Sequence, residues 1–170
     1  MSFGKSFGFS LLAFIGLNAA FFFGGYALNG TLISYFNSLA ASPLNIMLIF
    51  FGPIITGQFP YLLTSTFVGW LSGMPITAGD IVLFIGYIVA PILAAFLSGR
   101  FGEDKKQAFF GWFTTVMICA VVVLIGGVIQ LVILAAPFSI ILSQAIAAIA
   151  LGLIYGLACG SISLLTAKEF

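Results

Sequence analysis

From Ser6 to Gly79 the chain carries no Asp, Glu, Lys, Arg or His, and from Gln107 to Ala167 it carries none again. Soluble domains hold roughly a quarter of their residues as charged side chains, so stretches this long and this neutral need a solvent that accepts apolar groups on every face. That solvent is a lipid bilayer. The whole chain agrees with its two halves, being 62% hydrophobic and 5% charged with a mean hydropathy of +1.30. No alternating apolar and polar strand pattern is present, which argues against a β-barrel. The expected fold class is all-α, a polytopic helical membrane bundle forming one domain over residues 1–170.

Five apolar segments are readable, at about residues 7–28, 43–73, 78–98, 108–134 and 138–166, near or beyond the roughly 20 residues that a spanning helix requires. Lys5, the apolar run to Phe23 and the following "GYA" imitate the layout of a signal peptide. We read this segment as a first membrane helix. Between the first two segments, "TLISYFNSLAAS" places Leu32, Ile33, Phe36, Leu39 and Ala40 on one helical face, with Ser34, Asn37, Ser38 and Ala41 around the other. This pattern predicts a short helix at 31–41, lying in the interface or packed across the bundle. Ser42-Pro43 reads as a helix N-cap with proline at the first helical position. Gly73 sits where a C-terminal cap belongs, and Thr77-Ala-Gly-Asp80 reads as a capping box opening the third segment.

Asp80 is the one acid outside the charged loop and tail, and an acid within a membrane protein invites a proton-relay reading. At the start of a helix its carboxylate instead meets unpaired backbone N–H groups and the positive end of the dipole. A structural role is therefore expected. The remaining charges fall in "GRFGEDKK", residues 99–106, or near a terminus.

Arg100, Lys105 and Lys106 share one loop, 99–107, and the positive-inside rule places that loop on the cytoplasmic side of a cell membrane. Lys5 and Lys168 assign both termini to the same side. The chain must then cross an even number of times before Arg100 and again after it. The second half complies with two helices, whereas in the first half residues 31–76 must add either no crossing or two. One version recruits Leu32–Phe51 and Ile54–Gly73 as two spans with Gly52-Pro53 as the turn, giving six transmembrane helices. The other is a re-entrant pair of half-helices, 43–57 and 60–73, giving four. At 1.5 Å per residue those halves reach only about 22 and 21 Å, short of a hydrocarbon core of about 30 Å. Trp112 and Tyr26 stand where interfacial aromatic anchors belong.

The chain contains no histidine, the commonest metal ligand and general base. Its acids and bases form no catalytic constellation, so neither an enzyme nor a cofactor is expected. Five basic against four acidic residues leave no basic face for nucleic acid. Cys119 and Cys159 lie in apolar segments, where free cysteine behaves as a small hydrophobe.

Three features could carry function. First, Asn45, Thr56, Gln58 and Thr64 lie in or beside the interrupted segment. A broken helix frees backbone groups that a membrane tolerates only where protein buries them or a wet cavity solvates them, and transporters coordinate ions and solutes there. Second, Ala148, Gly152, Gly156 and Gly160 recur every four residues, a small-xxx-small ladder that lets another helix approach closely, either within the chain or from another subunit. A second register of small residues runs through Ala90, Ala94, Ala95 and Gly99. Third, Gln130 and Gln144 lie seven residues either side of Pro137, where a tight turn brings them to one depth for an inter-helix hydrogen bond.

Residues 52–75, "GPIITGQFPYLLTSTFVGWLSGMP", resemble the segment that opens with Gly-Pro and closes with Gly-x-Pro in the substrate-binding subunits of energy-coupling-factor vitamin transporters. The resemblance covers about a seventh of the chain and implies a six-helix solute-binding protein. The first helix departs from that family, having no clean alanine ladder for docking a partner. From the residues themselves we expect a non-catalytic integral membrane subunit packing through its Gly/Ala faces with copies of itself or with other membrane subunits. The alternative is a small transporter or solute-binding subunit with its site at 43–75.

Overall fold

The structure is a computed structural model, and it describes residues 2–39, 45–54, 68–69, 71–73, 75–134 and 137–167. All the regular structure among them is helical: α1 (Ser2–Leu28), α2 (Leu32–Leu39), α3 (Ile46–Phe51) running into a 3-10 turn (Gly52–Ile54), α4 (Ala78–Phe101), α5 (Lys105–Leu134) and α6 (Phe138–Thr166). Four stretches, Phe3–Leu28, Ala78–Phe101, Lys105–Ile129 and Ala145–Thr166, are long and apolar enough to cross a membrane. The protein is thus a helical bundle of membrane-spanning type.

Helix ends follow local chemistry. Gly30 and Gly73 take positive φ values of 66° and 75°, a conformation that glycine adopts without strain. The capping box forms as the sequence predicts. The Asp80 N–H donates to the Thr77 hydroxyl at 3.1 Å and the Thr77 N–H donates to Asp80 Oδ2 at 3.3 Å. Asn29, in the turn just after α1, completes the arrangement by donating to Asp80 Oδ1 at 3.2 Å. Both carboxylate oxygens are engaged in holding helix ends. Thr77→Ala should therefore cost about 1 kcal/mol, visible as a lower midpoint for unfolding in detergent; an unchanged midpoint would mean that α4 does not depend on this cap.

The loop expected over 99–107 is shorter than predicted. α4 continues to Phe101, closes with the Gly102 N–H donating to the Ser98 carbonyl at 3.0 Å, and α5 starts at Lys105. Asp104 Oδ1 accepts the Gln107 N–H at 2.7 Å, an N-cap bond that starts a helix within three residues of the previous one. Arg100, Lys105 and Lys106 accordingly stand on helix ends.

α1 and α4 are antiparallel neighbours, tied by Ser6 to Ser98 at one end and by Asn29 to Asp80 at the other. α5 and α6 form the second antiparallel pair, and Thr166 reaches back to the Phe96 carbonyl of α4 at 3.4 Å. Lys5, the 102–104 turn and the end of α6 are therefore gathered at one end of the bundle. The core runs through its middle, with Phe14, Ala94, Ala95, Trp112, Val116, Cys119, Ala120 and Ala148 all buried.

One expectation about an aromatic residue is overturned. Trp112 is fully buried, donates its indole N–H to the Tyr155 carbonyl at 3.1 Å and meets Phe14 edge-on at 6.0 Å. It is a core residue, because its N–H finds a partner inside the bundle and has no need of the headgroup region. On α2 the packed residue is Tyr35, wedged against Phe22 and Tyr26, while Ile33 remains 75% exposed. Aromatic packing, rather than the aliphatic face, orients this short helix.

Candidate functional site: the broken segment inside the bundle

Residues 45–54 leave the Asp80 end of the bundle and descend into it. Near the top, the Tyr35 hydroxyl donates to the Asn45 carbonyl. Burial pushes the Tyr35 phenol up to about 12, so the group keeps its proton and stays a donor. In one continuous helix, residues 35 and 45 would stand about 15 Å apart along the axis, beyond the reach of a tyrosine. α2 and α3, of eight and six residues, are accordingly not turns of one straight helix.

Further down, Met47 lies on Gly126 of α5, where a β-carbon would strike its sulfur. Gly52 lies on the ring of Tyr87, so that a β-carbon there would come within 2.5 Å of Cε1 and 2.7 Å of the hydroxyl. Ile54 is fully buried in the same core cluster as Phe14, Trp112 and Val116. Phe14 is midway along α1, and Val116 is 11 residues into α5, or about 17 Å at 1.5 Å per residue. The 3-10 turn therefore ends at the middle of the bundle. Both ends of the stretch from Thr31 to Thr77 lie at the same end of it.

A six-residue helix ending at such depth leaves carbonyls without intrahelical donors. One of them is met from α1: the Asn18 amide donates through Nδ2 to the Phe50 carbonyl at 3.2 Å. Asn18 is 3% exposed, and its Oδ1 is buried with no hydrogen-bond partner. Opposite, α4 contains Pro91, itself buried. Proline has no N–H to give to the residue four positions earlier, which here is Tyr87, the residue whose ring meets Gly52 of the descending segment.

Of the residues expected to form a site, Asn45 lies at the start of α3 and makes no side-chain cap bond. Thr56, Gln58 and Thr64 lie outside the described residues, as does any turn at Gly57–Pro60. Gln130 and Gln144 fall on α5 and α6, with side chains outside the description. The small-residue ladder is covered within the chain: a β-carbon on Gly152 would lie 3.2 Å from Ala120, one on Gly156 2.9 Å from Phe113 and one on Gly160 2.6 Å from Phe109. Ala148 is fully buried in the core. The second register is also filled, with Gly99 against Ser163 and Thr166 of α6. Cys119 and Cys159 are free and buried.

Sequence reasoning passed over Asn18 and Tyr87. Ser6, Ser10 and Asn18 stand at multiples of four residues along α1, which aligns them on one face, and all three are buried. That spacing was the available signal. Among the described residues no group of three His, Cys, Asp or Glu could hold a metal. No protein-family model, no curated protein and no solved structure matches the chain. The likeness of residues 52–75 to the vitamin-transporter subunits therefore carries no family assignment.

Proposed function

We propose that this protein is a non-catalytic integral membrane subunit that binds or transports a small solute at the broken segment 43–75, in a cell membrane with both termini and the 102–104 turn cytoplasmic. The observation that carries the reading is the descent of residues 45–54 from one end of the bundle to its centre. Irregular backbone at that depth is sustained only by protein burial or a wet cavity, and solute sites in membrane transporters are built from interrupted helices near the midplane. The cytoplasmic side follows from Lys5, Arg100, Lys105 and Lys106, which share one end. Proteoliposomes or expressing cells test the reading: Thr56→Val and Gln58→Leu should reduce solute uptake by at least about ten-fold while the protein still elutes as a folded species. Unchanged uptake in both variants rules it out.

A second reading, a subunit that associates with copies of itself or with other membrane proteins, draws support from how few of the described residues stand outside the helices, α4 and α5 being separated by only Gly102–Asp104. It does not draw on the Ala148–Gly160 face, which α5 occupies. Mass measurement after purification in mild detergent decides it: a strictly monomeric protein without a partner argues against association.

A further inference from the structure

Resting on the solute-site reading above, we infer that Asn18 is the recognition residue of that site and that its ligand is a small uncharged molecule bearing an N–H or O–H donor. The amide can be oriented in one way only. With Nδ2 donating to the Phe50 carbonyl at 3.2 Å, a flipped amide would set two acceptors face to face. Oδ1 is thereby turned away from the helix end, and it is buried without a partner.

A buried acceptor left without a donor is unfavourable in any protein and more so in a membrane, where unfolded surroundings offer no water. Nearby on α4, Pro91 has no N–H to return to the Tyr87 carbonyl four residues earlier. Gly52 at the tip of the descending segment touches the Tyr87 ring, so α1, α4 and the segment converge here. Asn18 Oδ1 is an acceptor without a donor, and a matching ligand must supply one.

A cation could also satisfy oxygen atoms. The formal charges of the described interior argue against one, because every Asp, Glu, Lys and Arg among the described residues lies at a helix end or in a turn. With no counter-charge, a bare ion would remain poorly solvated. A neutral amide, urea-like or hydroxylated molecule meets the acceptor without that penalty.

The test is stopped-flow light scattering from proteoliposomes of the full chain, with urea and glycerol as neutral probes and potassium and sodium chloride as ionic ones. Wild-type vesicles should take up a neutral probe faster than protein-free vesicles, and Asn18→Leu should remove about nine-tenths of that excess, the effect of one lost hydrogen bond to a buried group. Asn18→Thr, which is smaller and keeps an oxygen, serves if the leucine variant fails to fold. Ser10→Ala removes another buried hydroxyl without a partner, away from the segment, and should leave the flux unchanged. Neutral flux that survives both Asn18 variants overturns the role of Asn18 and leaves the solute reading standing. Equal losses from Ser10→Ala and the Asn18 variants reduce Asn18 to a packing residue. Flux of salt without urea or glycerol overturns the neutral class, and no flux of any probe overturns the solute reading together with this one.

Discussion

Gly79→Ala should destabilise the fold by about 2–3 kcal/mol, the upper range for forcing a methyl group into a filled interface. A β-carbon at Gly79 would strike the Gly25 backbone carbonyl and the Asn29 side chain. Backbone cannot rotate aside as a flexible side chain can, so α1 and α4 would have to separate at this end. Separation would also break the bonds from Gly79 N–H to Asn29 Oδ1, 3.1 Å, and from Asn29 to Asp80, 3.2 Å. Two substitutions of the same kind calibrate the result. Gly16 has nothing within 4 Å of a new β-carbon, and Gly16→Ala should be neutral or stabilising by up to about 1 kcal/mol. Gly152→Ala meets Ala120 at 3.2 Å and should fall between. Midpoints of denaturation by dodecyl sulfate in mixed micelles give the order, and a Gly79→Ala protein as robust as Gly16→Ala would refute the α1–α4 contact.

Trp112→Ala is expected to cost about 3–5 kcal/mol, as large aromatic deletions in packed interiors do. The indole is fully buried, bonded to the Tyr155 carbonyl at 3.1 Å and packed edge-on against Phe14. Trp112→Phe keeps most of the ring volume and loses the N–H, so its cost should be about 1–2 kcal/mol. Fluorescence offers an independent check. In a Trp70→Phe background the emission of Trp112 should be blue-shifted and resist quenching by acrylamide, whereas an interfacial tryptophan would be quenched readily.

The helix ends and the spans were legible in the sequence because they depend on neighbours a few residues away. Thr77 and Asp80 find each other within one turn, and the long uncharged runs mark four helices by composition alone. Trp112 was misread because its place in the chain, one-quarter of the way along a helix, is the same for a core residue and for an interfacial one. Only the arrival of Tyr155, 43 residues later, decides between them. On α2 the sequence shows the apolar stripe of Ile33 and Phe36, which stays exposed, but not that Tyr35 is the residue packed against Phe22 and Tyr26. The spacing of Gly152, Gly156 and Gly160 names no partner; in the fold these glycines lie against Ala120, Phe113 and Phe109 of the preceding helix. Asn18 could not be picked out as important by type. Its significance lies in the Phe50 carbonyl, brought to it by a break in the chain 32 residues away.

The pairing of α1 with α4 also bears on how the chain is made. The Ser6 hydroxyl bonds Ser98, 92 residues later, and the Gln107 carbonyl, 101 residues later. At synthesis rates of about 5–20 residues per second, α1 therefore waits on the order of 5–20 s before its permanent neighbours exist. During that interval Ser6, Ser10 and Asn18 form a polar edge on a newborn helix surrounded by hydrocarbon. Such a helix is poorly suited to early release into lipid, and retention beside the insertion machinery until α4 and α5 emerge would let the three helices enter the bilayer together.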